Sequence, residues 1–321
     1  MIEIYCDLKN RTKIYNLPDW CKRQIKSKFP KVKLIYSIKK INKNVLIYFG
    51  DLVTKEKIKL MPNLKWIHFS SAGTNRAQLK IVKEKKIIVT NSPDGFVHSL
   101  ASLGLAHIFT FIRGLHFANN LKNKKRLNRK EIDKYFNFID DLRNKNILLA
   151  GFGKVGKLIA KVLKIMNANI YAMIRKDKKN KYKNIKFFYS NEILKNIHKM
   201  DFVVNLLPLN NDSFKFFNID LFKKMKKNSY FISLSRGQTV VEKDLIQALQ
   251  KEWILGAGLD VFEKEPLSKK SKLFKLKNVV LTPHIGNINH SYWEYEINLF
   301  LNNLKKFLNK KKLKNTIKTA F

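Results

Sequence analysis

Cysteine, glycine, proline and acidic residues are all scarce in this chain of 321 residues. Its two cysteines, Cys6 and Cys21, make neither a disulfide framework nor a C-x-x-C site. Twelve glycines and seven prolines exclude collagen-like and linker-like composition. No apolar run approaches the ~20 residues of a membrane span, so no membrane partner is expected. The start, Met1-Ile-Glu-Ile-Tyr-Cys-Asp-Leu8, alternates like a β-strand and lacks the apolar stretch of a signal peptide. A soluble, cytoplasmic protein is the expectation. Hydrophobic residues make up 45% of the chain, enough for a large core and against disorder throughout. The length suggests two domains.

The acids number 24 against 65 basic residues, a formal charge of +41. Such a balance is the usual footprint of nucleic-acid binding. Here 56 of the basic residues are lysine and nine are arginine, and the lysines run along the whole chain. A specific nucleic-acid site would cluster its basic residues and use arginine forks for bases and phosphates. With asparagine and isoleucine also abundant, the lysines read as a bias towards A/T-rich codons, and specific nucleic-acid binding is not expected. Against that background, an arginine or a glycine says more than a lysine.

The hydrophobic pattern is a βα alternation. Val45–Phe49, Leu64–Phe69 and Ile87–Thr90 read as buried strands, each followed by turn or helix-start residues. A long apolar stretch from Val97 to about Leu121 reads as one buried helix and a domain crossover. Residues 122–146 are charged and read as loop with a short helix. A second series begins at Asn146–Ala150 and continues at Asn169–Ile174, Phe202–Leu206, Tyr230–Leu234, Gly256–Asp260 and Val279–Thr282. Tyr292–Asn309 is a periodic helix. This rhythm predicts an α/β protein with parallel sheets flanked by helices.

Gly151-Phe-Gly153-Lys-Val-Gly156 lies between a strand and a helix. The glycines allow a tight turn, close approach to a pyrophosphate, and close packing of helix on strand. The backbone N–H groups of Lys154, Val155 and Gly156 then face the phosphate at the helix N-terminus. A lone G-x-G-x-x-G is a weak signal; this one has the strand and helix that the motif requires. About 20 residues on, where a carboxylate would hold the ribose of NAD, stand Ile174-Arg175-Lys176-Asp177. Arg175 suits a 2′-phosphate and favours NADP, whereas Asp177 is the competing ligand for the ribose of NAD.

Three further motifs place polar residues just past strand ends, where open α/β sheets bind ligands. They are Ser235-Arg236-Gly237, Asp260-Val-Phe-Glu-Lys-Glu265-Pro266 and Thr282-Pro-His284-Ile-Gly286. An arginine binds a carboxylate and polarises a carbonyl, a histidine gives a proton to the developing alkoxide, and a carboxylate orients that histidine. Hydride transfer to a 2-keto acid needs these three groups. Each also has a bland reading, as a structural ion pair, a strand-end histidine or a solvated loop charge. His68, His98, His107 and His116 have no such context and read as structural. His290 is a candidate for the edge of the substrate pocket.

Taken together with the glycine loop, these motifs, in this order and spacing, resemble the D-isomer-specific 2-hydroxyacid dehydrogenase family. That family includes glyoxylate/hydroxypyruvate reductases and phosphoglycerate dehydrogenases. The resemblance covers nearly the whole chain and is strongest from Asn146 to Gly286. It implies two Rossmann-like domains with the active site in the cleft between them. Residues 1–97 with 289–321 would bind substrate, and 98–288 the dinucleotide. Catalysis would fall to Arg236, Glu265 and His284, with Arg236 and His284 also touching substrate. Asp260 would hold the nicotinamide carboxamide, and Leu207, Pro208 and Ser235 would line the cofactor groove. In Ser71-Ala-Gly-Thr-Asn75, the backbone N–H groups of Ala72 and Gly73 would take the substrate carboxylate.

The implied activity is reduction of a small 2-keto acid by NADPH or NADH, in a homodimer. The competing expectation is a non-enzymatic NAD(H)-sensing regulator on the same fold. Two departures stand out: the acidic residue expected near position 175 is replaced, and Ala101-Ser-Leu103 lacks the glutamate often found early in the crossover helix. No appended regulatory domain is expected after the last helix.

Overall fold

The computed structural model describes residues 2–8, 16–72, 79–123, 125–126, 128–132, 139–175, 182 and 184–317. The chain divides into two compact units, one of residues 1–96 with 288–321 and one of residues 97–287. Each unit is built on a wholly parallel sheet.

The first unit contains strands β1 (Ile2–Asp7), β2 (Val32–Ile35), β3 (Val45–Gly50), β4 (Trp66–Phe69) and β5 (Ile88–Asn91). They lie in the order β2-β1-β3-β4-β5. Because successive side chains point to opposite faces, β3 sends Ile47 and Phe49 into one cluster and Tyr48 into the other. Both faces are covered, as a parallel sheet requires. On the first face, Phe49 and Trp66 stack on Phe300, with ring centroids 4.1 and 5.3 Å apart. On the second, Ile67, Phe69 and Val89 pack with Ile58 and Val82. The helices of this unit are α1 (Asp19–Lys28), α2 (Lys55–Leu60) and α3 (Leu79–Glu84), together with a long helix at Tyr292–Leu308 that carries Phe300.

In the second unit, helices α4 (Val97–Ile112), α5 (Leu115–Asn123) and α6 (Arg129–Ile132) precede strand β6 (Asn146–Ala150). The single helix expected from Val97 to Leu121 is broken into α4 and α5, bent by 70°. The physical reason is Gly114, whose φ of +64° takes the left-handed conformation that ends a helix, with its N–H on the Phe111 carbonyl at 3.0 Å. Among the described residues no single helix is long and apolar enough to cross a membrane. α4 instead buries Ala101, Ile108 and Phe111 in the core of this unit.

After β6 come α7 (Lys154–Ile165), β7 (Asn169–Ile174), β8 (Lys186–Tyr189), α8 (Ile193–Asn196), β9 (Phe202–Asn205), α9 (Ile219–Lys224), β10 (Tyr230–Ser233), α10 (Glu242–Gln250), β11 (Gly256–Leu259) and β12 (Val279–Leu281). The helix at Tyr292–Leu308 follows as α11. The strand order is β12-β11-β10-β9-β6-β7-β8. The chain therefore reverses its direction of growth between β6 and β9, the switch point at which open α/β sheets bind ligands. The fold class is α/β, with two parallel sheets each flanked by helices.

Candidate active site

Every motif singled out in residues 151–286 lies just beyond the C-terminal end of a strand of the second sheet. Gly151 follows β6 and adopts φ +106°. A Cβ there would also stand 2.9 Å from the Leu206 carbonyl oxygen, so the turn requires glycine. At Gly156, a Cβ would lie 2.7 Å from the Gly151 carbonyl, which explains the close seating of α7 on its strand. Gly153 is different: among the described residues nothing lies within 4 Å of its Cβ position, so they leave the space over the loop open. It is also the N-cap of α7 and offers no side-chain cap. The first-turn N–H groups of Lys154, Val155 and Gly156 thus head a 12-residue helix whose dipole favours an anion.

The other proposed cofactor contacts stand just after strands β7, β9 and β10 of the same sheet. Arg175 follows β7 directly and is exposed; Asp177 lies outside the described residues. Leu207 is half-buried and Pro208 exposed, just after β9. Ser235 has a buried hydroxyl with no hydrogen-bond partner among the described residues, just after β10. An orphaned hydroxyl, an open glycine step and an uncapped helix start together fit a dinucleotide.

Arg236 follows β10 and caps a short turn at Gly237–Thr239, with its Nη1 donating to the Ser235 carbonyl at 2.7 Å. Gly237 lies so close to the loop after β11 that a Cβ would stand 1.8 Å from the Phe262 carbonyl oxygen. No side chain fits there, so the arginine turn and the 260–265 loop pack backbone on backbone. That contact brings Arg236 towards Glu265, whose carboxyl feels its charge.

Glu265 Oε2 accepts from His284 Nδ1 at 2.7 Å, and Oε1 accepts from the Phe262 backbone N–H at 3.1 Å. Burial alone would push this carboxyl up. The hydrogen bond and charge of His284, the Phe262 N–H and the Arg236 charge outweigh burial, so it sits below its ordinary value. Glu265 is therefore an ionised acceptor at neutral pH. His284 and Glu265 keep 37% and 35% of their side-chain surface exposed, so the pair is open to a small molecule.

His284 has φ +55°, an uncommon conformation for a residue other than glycine and one that must be held by its surroundings. The holder is Asp260, which is fully buried. Its Oδ1 accepts from Thr282 Oγ1 at 2.7 Å and from the Ile285 N–H at 2.8 Å, and its Oδ2 from the Gly286 N–H at 2.9 Å. Motif order does not reveal this duty of Asp260; it brackets the histidine from both sides.

Two more polar residues emerge only from the structure. Asn205 and Thr239 are fully buried and hydrogen-bonded to each other beneath Arg236. The one sequence signal for Asn205 is an asparagine inside the apolar run Phe202-Val-Val-Asn-Leu206.

Ala72 is exposed, and its carbonyl accepts from Asn91 Nδ2 at 2.9 Å; Gly73 lies outside the described residues. His290 is exposed. His68 is wholly buried, with Nε2 3.0 Å from Glu296 Oε1 and Nδ1 2.6 Å from Thr90 Oγ1. In the second unit His107 and His116 are buried, and His98 is exposed.

Comparison with known proteins agrees with this geometry. Residues 105–286 match the model of the D-isomer-specific 2-hydroxyacid dehydrogenase NAD-binding domain. A glyoxylate reductase of Pyrococcus horikoshii is 31% identical over 284 residues, 87% of this chain and 83% of that protein. A probable 2-ketogluconate reductase of Dictyostelium discoideum is 31% identical over 290 residues, 89% of this chain and 82% of that protein. The fold matches that of an NADPH-dependent glyoxylate/hydroxypyruvate reductase from Sinorhizobium meliloti, with a TM-score of 0.78 at 21% identity, over 99% of this chain and 97% of that one. With the family's domain matched over more than half of this chain and the motifs in place at the strand ends, the chain belongs to the D-isomer-specific 2-hydroxyacid dehydrogenases, which are NAD(P)-dependent oxidoreductases.

Proposed function

We propose that this enzyme reduces a small 2-keto acid of the glyoxylate or hydroxypyruvate class to the D-2-hydroxy acid, with NADPH preferred over NADH. The observation that carries the chemistry is the 2.7 Å contact between Glu265 and His284, with the Arg236 charge alongside. The names of the relatives support the substrate class, since glyoxylate reductases recur among them.

The nicotinamide, when bound, supplies the hydride. The glycine loop and the N–H groups of Lys154, Val155 and Gly156 would hold the pyrophosphate. Ser235, Leu207 and Pro208 would line the groove, and Arg175 would meet the 2′-phosphate. Asp260 is the residue that would take the carboxamide by the family resemblance, while here its three loop contacts leave it fully buried. Arg236 presents a planar fork that suits the substrate carboxylate. A carboxylate accepts only, so the hydrogen between Glu265 and His284 sits on Nδ1. Nε2 is then the atom that hands its proton to the keto oxygen as charge develops there. Glu265 holds the ring in that orientation. The active species is proposed to be a homodimer, which light scattering would check.

The decisive experiment is a matrix of NADPH and NADH against glyoxylate, hydroxypyruvate, pyruvate and a bulkier keto acid. Turnover of the first two, with kcat/KM higher for NADPH, is expected. Absence of turnover across the whole matrix would refute the reading.

A further inference from the structure

Beneath the candidate site runs a chain of buried hydrogen bonds that the motifs do not account for. Asn205, the last residue of β9, is fully buried. Its Oδ1 accepts from the Leu207 N–H at 3.2 Å, and its Nδ2 donates to Ser233 Oγ at 3.1 Å and to Thr239 Oγ1 at 2.7 Å. Thr239 Oγ1 in turn donates to the Arg236 carbonyl at 2.7 Å, the same oxygen that accepts the Thr239 N–H at 3.1 Å.

The direction of each bond is determined. An amide nitrogen donates and does not accept, so Thr239 Oγ1 receives one hydrogen and keeps its own for the Arg236 carbonyl. Asn205 thereby has its oxygen and both amide hydrogens engaged. In a site with no water contact, an amide with an unmade bond would be costly, so the relay holds as a unit. Its two ends carry the chemistry: Leu207 lies in the proposed cofactor groove and Arg236 is the proposed substrate ligand.

We infer that Asn205, acting through Thr239, is a positioning residue that fixes the Arg236 turn and ties it to the cofactor loop after β9. The inference rests on the reading of Arg236 as substrate ligand. The backbone reinforces the tie, because the segment after Pro208 pairs with the same turn through Lys215 N–H to Gln238 O at 2.8 Å and Phe217 N–H to Thr239 O at 3.0 Å.

Isosteric substitutions separate the two ends of the relay. Asn205→Asp keeps an acceptor for the Leu207 N–H but loses the donor, so the Thr239 hydroxyl turns to the new carboxylate and releases the Arg236 carbonyl. Thr239→Val removes the hydroxyl at nearly constant volume, and Thr239→Ser retains it. Two readouts are taken: hydrogen exchange of the Arg236–Val241 backbone in protein without substrate, and steady-state kinetics.

In Asn205→Asp and Thr239→Val, exchange over this segment should speed up about ten-fold and KM for the keto acid should rise about ten-fold, with KM for the cofactor within about two-fold of the parent. Thr239→Ser should stay near the parent in both. If Asn205→Asp fails to fold, Thr239→Val decides. Unchanged exchange in Thr239→Val overturns the relay whatever the kinetics show. A parent enzyme that turns over no keto acid refutes the proposed function instead, and the exchange result still decides the relay.

Discussion

His107 offers a direct test of how burial governs this fold. It lies on α4 with about 3% of its surface exposed, and its Nε2 has no hydrogen-bond partner among the described residues. Its ring packs against β11 so closely that a Cβ at Gly258 would stand 2.6 Å from Nδ1. Burial pushes the imidazole down to about 4 from its ordinary 6.5, while the nearby Asp260 charge pulls weakly the other way. A histidine whose folded value is depressed takes up its proton more readily in the unfolded chain. Its stability contribution is therefore complete above pH 6.5 and is lost progressively as the pH falls towards 4. A shift of that size corresponds to about 3 kcal/mol in all, of which about 2 kcal/mol is lost between pH 7.5 and pH 5. His107→Leu, of similar volume and without a titrating group, removes that loss. Urea unfolding of parent and variant is measured at both pH values by tryptophan fluorescence, with Trp253 reporting on the second unit. The variant should gain about 2 kcal/mol on the parent as the pH is lowered. A gain below about 0.5 kcal/mol would show that the imidazole titrates normally and that the burial reasoning is wrong.

The remaining predictions concern the site. Glu265→Gln keeps the size of the side chain but removes the charge facing His284 Nδ1, so kcat should fall by about 10²-fold or more while KM for the cofactor stays put. In the parent, the Glu265 carboxyl is held below its ordinary value, so it loses this contact at a lower pH than an ordinary carboxylate would; an acid limb of activity that moves with Glu265 well above pH 5 would contradict this. Arg236→Lys substitutes a point charge for a planar fork, and kcat/KM for the keto acid should drop at least ~100-fold; unchanged kinetics would remove Arg236 from the mechanism. Arg175→Leu should raise KM for NADPH about ten-fold and leave NADH almost untouched, and equal effects on both would rule out a 2′-phosphate contact.

Much of the fold was legible because βα alternation is a local signal. Strands such as Val45–Gly50 and Tyr230–Ser233 are buried on both faces and read as continuous apolar runs in the sequence. The two strands not anticipated, β2 and β8, lie at sheet edges. Each has a lysine within a four-residue run, Val32-Lys-Leu-Ile35 and Lys186-Phe-Phe-Tyr189, and half-covered strands tolerate it. The break at Gly114 was hidden for another reason. A glycine in an apolar helical pattern is compatible with continuation, and only packing decides where φ turns positive.

Among the site residues, Arg236, Glu265 and His284 could be found from sequence because scarce residue types recur just after strands, and strand ends are where such sheets bind ligands. The glycine loop was legible for the same reason, since Gly151 and Gly156 each answer a local steric demand. What only the tertiary structure decided is how these pieces hold one another. Asp260 reaches the Ile285 N–H across 25 residues of sequence, and Asn205 reaches Thr239 across 34. Those contacts exist because β9, β10, β11 and β12 lie side by side in the sheet. Hydrophobic periodicity says that a residue sits on a strand and on which face, but neighbouring strands are chosen by long-range packing. The residues that orient the chemistry therefore became visible only once the strand order was known.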